Sequence, residues 1–550
     1  MYIKAIENAR ELLENTFEDF LMKEISTSIS TFRKIIEAGY IYVDKTKYIY
    51  EMVKQPFGQF FFSRPRRFGK SLTVSTLEAV FSAQKELFKD CLIYNADYNW
   101  EEYPIIHIDF GRIDSSTVSA LEEGLRLALS DIAGKYDVQI MGSTPALMFG
   151  ELIKALNRKY DKGVVILVDE YDRPITNNLE DGKGVKQISR TMEAFYQMIK
   201  GYEALERFVF ITGITRLSQV SIFSKLNNLV DISRSLNYSD AVGYNVSELK
   251  QYFDGYIKEG AKKYGCSVEA MMEKLAEWYD GFKFAFEGQK VYNPVSVGRF
   301  FSENYEFSNY WYATATPVLL INFAKKQKIT PESIENAMVT ELSFSSFDIM
   351  SLSDNNVDTE TITQLLLQTG YLTIGEKEEK SNIPSYRLKY PNKEVQMSFE
   401  TDLASIYIGR SKAEINLIAS NLQKAAYEGN VDDMIGTLNG CLVGIPYAIQ
   451  LKYEKYYQSL IYLLFKMCGM NIVAEGMTNI GRIDATLRVS NKIYIIECKI
   501  DKSAREALNQ IEDKKYAEQF YNEAKAGYDI VKIGMNFSSD TKNINEYLFN

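Results

Sequence analysis

Residues 58–83 read GQFFFSRPRRFGKSLTVSTLEAVFSA. An apolar run stops at Ser63, a basic loop follows, and a helical pattern opens at Lys70 with Leu72, Leu77, Val80 and Phe81 on one face. That is the order a phosphate-binding loop requires, because backbone N–H groups and a helix N-terminus must point at the anion beyond the end of a parallel strand. Gly69 would allow close backbone approach, Lys70 would reach the terminal phosphates, and Ser71 would offer its hydroxyl to Mg²⁺. The usual pattern has a glycine five residues before Gly69, where this chain has Arg64. Arg64, Arg66 and Arg67 are one of two candidate sources of charge to neutralise a γ-phosphate. A basic turn that caps a helix shares the Gly-Lys-Ser triplet, so the loop alone leaves both readings open.

Neighbouring segments favour the nucleotide site. PIIHIDF (104–110), GVVILVDE (163–170) and RFVFITG (207–213) do not alternate with polar residues. With GQFFFS (58–63) they read as strands buried on both faces, separated by helical patterns over 70–86, 116–133 with 145–160, and 186–205. Such alternation predicts an α/β domain with a P-loop-NTPase-like parallel sheet, spanning 24–235. The run VVILVDE ends in two carboxylates, which are costly at the end of an apolar strand unless something uses them. Asp169 would bind the Mg²⁺ shell and Glu170 would polarise the attacking water from the neighbouring strand. Thr212 or Thr215 would contact the γ-phosphate, and Arg216 or the arginines of the loop would neutralise it.

The remainder of the chain divides by pattern. An amphipathic, acidic helix is expected over 1–23 and a helical, lid-like region over 236–345. Residues 346–410 read as a winged-helix-like unit, with a helix in TITQLLLQTGYLTI and then two strands, the second in YRLKYPNKEVQMSF. It has no concentrated basic stripe, so a spacer or lid role is expected ahead of DNA binding. Helix follows over 412–437, and 448–550 reads helix, two or three strands, helix, strand, helix.

Composition narrows the chemistry. One histidine and five scattered cysteines without a CxxC pair exclude His-based triads, zinc ribbons and a disulfide framework. A formal net charge of -10 excludes a generally basic nucleic-acid coat, so any such contact must be local. No run reaches the ~18 apolar residues of a membrane span, and a cytoplasmic location without membrane contact is expected.

A second constellation lies in GRIDATLRVSNKIYIIECKI, residues 481–500. A turn at Ser490-Asn491 makes this a β-hairpin and puts Asp484 opposite Glu497, with Cβ atoms about 5 Å apart. Lys499 shares their face, two residues on. Facing carboxylates repel, and a divalent cation, Mg²⁺ or Mn²⁺, between them would remove the problem. An exposed charged hairpin is the alternative.

The ordered segments YIYVDKTKYI, SRPRRFGKSL, IIHIDF, ILVDEYDRPI, ITGITRLSQVSIFSKLNNLVDIS, WYDGFKF, VYNPVSV and NYWYATATP resemble the AAA-ATPase-like family of bacterial proteins. Members typically carry a C-terminal PD-(D/E)XK nuclease-like domain, with a restriction-endonuclease-like α/β fold, here 411–550. In that family the loop is also RPRRFGK[ST], so the resemblance accounts for Arg64. Ala315 departs from the family's usual glycine. The spacing Asp-x₁₂-Glu-x-Lys resembles the nuclease core, which implies metal binding by Asp484 and Glu497 and water activation by Lys499. It also implies an accessory acid at Glu454 and substrate contacts from Gln510 and Tyr516 on one helix; Gln458 departs from the usual histidine. The expected function is ATP-controlled, metal-dependent cleavage of DNA or RNA, with oligomerisation compatible. The alternative is a nucleotide-regulated module whose nuclease fold only binds nucleic acid or protein.

Overall fold

The computed structural model describes residues 22–179, 182–216, 228–314, 337–340, 359–378, 384–443, 463–466, 471–477, 482–541 and 543–550. These fall into two compact units, one comprising residues 22–314 and 338–394, the other residues 395–550. Among them no helix is long and apolar enough to cross a membrane.

Two short helices, α1 (Phe32–Glu37) and α2 (Thr46–Val53), lead into the first sheet. Its strands are β1 (Gly58–Ser63), β2 (Ile105–Asp109), β3 (Val164–Asp169), β4 (Glu206–Gly213) and β5 (Val230–Asp231). All pair in parallel, in the order β2-β3-β4-β1-β5. Every residue of β3 is buried, as an apolar run with no alternation requires. The order corrects one expectation: β3 is not beside β1, because β4 lies between them. Helices α3 (Lys70–Phe81), α4 (Val118–Lys135), α5 (Pro145–Tyr160) and α6 (Gly182–Gly201) follow the predicted amphipathic stretches.

Beyond β5 come α7 (Val246–Tyr264), α8 (Val268–Tyr279), a hairpin of β6 (Phe282–Lys283) and β7 (Lys290–Val291), and α9 (Pro294–Ser302). An aromatic core of Phe253, Tyr279, Phe300 and Phe301 joins these helices. β8 (Met338–Thr340) lies at the end of the expected lid-like region, and the winged-helix-like segment holds α10 (Thr359–Thr369), β9 (Thr373–Glu378) and β10 (Ser385–Lys389). Its sheet is antiparallel with order β8-β10-β9, so there is a third strand that the sequence pattern did not reveal. The predicted second strand is also shorter. It stops at Lys389, and α11 (Lys393–Ile408) takes over, because Pro391 cannot donate to a strand ladder and NKEVQMSF lacks the alternation of one.

In the second unit α12 (Lys412–Glu428) and α13 (Val431–Val443) replace the single helical stretch; α12 opens on a Ser411–Glu414 capping box and closes on left-handed Gly429. A mixed five-stranded sheet follows, in chain order: β11 (Asn471–Met477), β12 (Arg482–Val489), β13 (Lys492–Ile500), β14 (Asp529–Phe537) and β15 (Ile544–Phe549). Only β13 and β14 pair in parallel, joined by a crossover containing α14 (Ala504–Asp513). The chain ends on β15, where a helix was expected.

Candidate functional sites

The first site forms where β1, β3 and β4 end. Gly69 has φ 102° and caps α3, and a Cβ there would meet nothing within 4 Å. Its left-handed backbone, rather than crowding, therefore requires glycine. Lys70 is buried, and its Nζ donates to the carbonyls of Arg64 and Pro65 at 3.0 Å each. Burial lowers its pKa, against which the carboxylates of Asp169, Asp172 and Glu170 act. Burial raises the pKa of Asp169, and the nearby Ser71 hydroxyl acts against that rise. Lysine, serine and aspartate thus converge as a nucleotide–Mg²⁺ site needs.

The loop's arginines divide into two kinds. Arg66 and Arg67 are exposed, Arg67 with a left-handed φ of 63°. Arg64 is 2% exposed, and its guanidinium sits 4.3 and 4.4 Å from the rings of Phe62 and Phe284. Its Nη atoms donate to the carbonyls of Ser63, Ser233 and Tyr238. Arg64 therefore anchors the base of the loop, and its side chain is not a phosphate contact. The tryptophan Trp311 holds the loop too, donating its indole N–H to the carbonyl of Arg66 at 2.9 Å.

Thr212 and Thr215 depart from the roles expected of their side chains. The Thr212 hydroxyl donates to the carbonyl of Phe62, across the β4–β1 pair, at 2.7 Å. The Thr215 hydroxyl and N–H both donate to buried Asp172, which also accepts from the Ile214 N–H. Both threonines fix strand ends. Arg216 pairs with Asp231 at 3.1 Å.

Glu170 lies just past β3 with φ 52°, a left-handed conformation rare for a non-glycine residue. Its carboxylate pairs with Arg173. Asp109, level with Asp169 on the adjacent β2, pairs with Arg112 at 3.0 Å. A Cβ on Gly111 would lie 2.7 Å from Asp109 Oδ1 and 3.0 Å from Glu170 Oε2, so this acid cluster closes only around a glycine. Asp109, Asp172 and Arg173 were not singled out from sequence, although each lies in a quoted motif; their positions at the ends of β2 and β3 were the available signal.

The second site is the β12–β13 hairpin. Ladder pairs run from Val489–Lys492 to Ala485–Ile496, the predicted register, which brings Asp484 level with Glu497. Ser490 makes the turn with φ 52°. Glu497 is 1% exposed in its side chain, and Lys499 Nζ lies 2.9 Å from its Oε1. Its Oε2 is buried without a hydrogen-bond partner. Burial first, and the Asp484 charge second, push Glu497 up to about 7, against the pull of Lys499. Asp484 Oδ2 accepts the Cys498 N–H at 2.8 Å. On the other side of β12, the pairs Ala474–Ala485 and Gly476–Ile483 put Glu475 level with Asp484, an acid that sequence reasoning missed.

Of the three implied partners of this site, one sits on its expected helix, one departs from expectation and one falls outside the described residues. Gln510 is on α14, but Tyr516 begins a separate 3₁₀ turn after left-handed Lys515. Tyr516 is 1% exposed within an apolar core with Ile493, Leu508 and Phe520, so its ring is structural. Glu454 lies outside the described residues. Among the described residues no group of three or more His, Cys, Asp or Glu is arranged around a common metal position. The orphaned Glu497 oxygen beside Asp484 nevertheless suits a hard cation with oxygen ligands.

Residues 26–223 match the family model described as "Predicted AAA-ATPase", and residues 452–547 match that of the PD-(D/E)XK nuclease superfamily. The chain is also 30% identical over 531 residues to an "Uncharacterized protein in vnfD 5'region" of Azotobacter chroococcum mcd 1, covering 95% of this chain and 98% of that one. The chain belongs to the AAA-ATPase-like family, with a C-terminal domain of the PD-(D/E)XK nuclease superfamily.

Proposed function

We propose that the first unit binds and hydrolyses ATP with Mg²⁺, and that the second cleaves DNA phosphodiesters under the control of nucleotide state. The observation that carries the nuclease reading is the buried, unpartnered Oε2 of Glu497 beside Asp484 and Lys499. A divalent cation bound there supplies Lewis-acid polarisation of the phosphodiester. Asp484 and Glu497 would hold it, and Lys499, positioned by Glu497, would orient the attacking water. In the first unit Lys70 would exchange its loop carbonyls for terminal phosphates, Ser71 and Asp169 would hold Mg²⁺, and Glu170 would take the proton of the water. Exposed Arg66 and Arg67 would add phosphate charge neutralisation.

One observation favours a second reading. Lys499 already neutralises Glu497 without a metal, as a nuclease fold that only binds nucleic acid would allow. Incubating the full-length protein with linear and supercoiled DNA, and with RNA, in Mg²⁺ or Mn²⁺ separates the two. The proposal expects DNA cleavage that Asp484→Asn and Glu497→Gln abolish. Metal-independent binding without cleavage, unchanged in both variants, would instead establish the binding module.

A further inference from the structure

A small, partly open cavity of about 20 Å³ lies at the base of the phosphate loop, with Arg64, Ser233, Arg234, Lys283, Gln368 and Thr373 in its wall. Three of its lining residues are cationic and none is a carboxylate. Arg64 Nε and Gln368 Nε2 are buried donors in that wall with no hydrogen-bond partner among the described residues. The remaining polar atoms of both side chains are engaged: the Arg64 Nη atoms by three carbonyls, and Gln368 Oε1 by the Arg216 N–H at 2.7 Å. The nearest acids are held elsewhere. Asp231 pairs with Arg216 and accepts the Ser233 N–H, and Asp240 accepts from Tyr48 and Asn245.

A buried guanidinium without a contacting carboxylate is expensive, and so is each orphaned donor. Burial, and next the charge of Arg234, pull the Arg64 guanidinium down to about 9. Both unmet needs have one remedy, a buried acceptor that carries negative charge. A cavity needs roughly 10–15 Å³ to hold one water, so this one admits a single water or a monatomic anion and excludes phosphate or sulfate.

We propose that this cavity is a halide site, filled by chloride, which accepts hydrogen bonds from Arg64 Nε and Gln368 Nε2. Chloride then joins the end of β1 to α10 and stabilises the loop's anchor from beneath. Neither nucleotide hydrolysis nor phosphodiester cleavage is required for it. The test is the melting temperature of the full-length protein, titrated from sodium glutamate into sodium chloride or bromide at constant ionic strength. Wild type should rise by roughly 2–4 °C and saturate. Gln368→Met, which removes one donor, should need about tenfold more halide for the same rise. In bromide-grown crystals, an anomalous peak should lie within hydrogen-bonding reach of both nitrogens. An ordered water there without anomalous signal, or an equal halide response in wild type and Gln368→Met, would overturn the site.

Discussion

Individual side chains make the sharpest claims. Lys70→Ala removes a buried cation held by the carbonyls of Arg64 and Pro65, and should weaken ATP binding by about 10–100-fold, measured by calorimetry. Glu170→Gln should keep that affinity while turnover falls by about 10²–10⁴, since an amide does not take a proton. Asp484 and Glu497 should act as a unit, so that the double mutant is no less active than either single one. Mn²⁺ should raise the melting temperature of wild type and Lys499→Ala, and leave Asp484→Asn unmoved; equal stabilisation of all three would place the cation elsewhere. Glu206, buried at the start of β4 with one oxygen bonded to Gln59, has a pKa raised to about 8, chiefly by burial. Its protonated form is the one the fold accommodates. The stabilisation is therefore complete below the ordinary carboxylate pKa and lost as pH rises through about 8. Between pH 6 and 9 wild type should lose ~2 kcal/mol that Glu206→Gln retains, as denaturant titrations at both pH values would show.

At the scale of elements, two glycines separate strain from crowding. Gly69 has φ 102° and open space, whereas Gly281 has φ 98° and a Cβ there would lie 1.9 Å from the Pro391 carbonyl oxygen. Alanine at 69 should cost about 1–2 kcal/mol, the backbone term alone. Alanine at 281 should cost several kcal/mol more, because a backbone atom must move. Thermal melts of the two variants decide this. The same scale shows what was legible in the chain. GQFFFS and VVILVDE were readable because burial on both faces leaves an unbroken apolar run, and the hairpin register was readable because one turn fixes it. The order of the sheet was not, since nothing in β4 says that it separates β1 from β3. The role of Arg64 was hidden for a related reason: it depends on Phe284 and on the Tyr238 carbonyl, more than 170 residues away. Residues 544–549, INEYLF, took a strand because β14 offered an edge, a fact of tertiary structure.

For the molecule as a whole, nucleotide control requires that ATP favour one of two states of the chain, and a ligand shifts such a balance only by its differential affinity. Cleavage by the full-length protein should therefore differ between ATP, ADP and no nucleotide. It should lose that difference in Lys70→Ala while keeping metal dependence. Equal rates under all three conditions would make the two activities independent.

The chain has three tryptophans, and one of them, Trp311, is fully buried with its indole N–H on the Arg66 carbonyl. An indole's emission depends on its hydrogen bond and on the charge around it. The protein thus contains its own optical gauge, wired to the backbone of the loop that would wrap a triphosphate. With Trp100 and Trp278 replaced by phenylalanine, intrinsic fluorescence alone would follow that loop in real time, with no dye and no catalysis required.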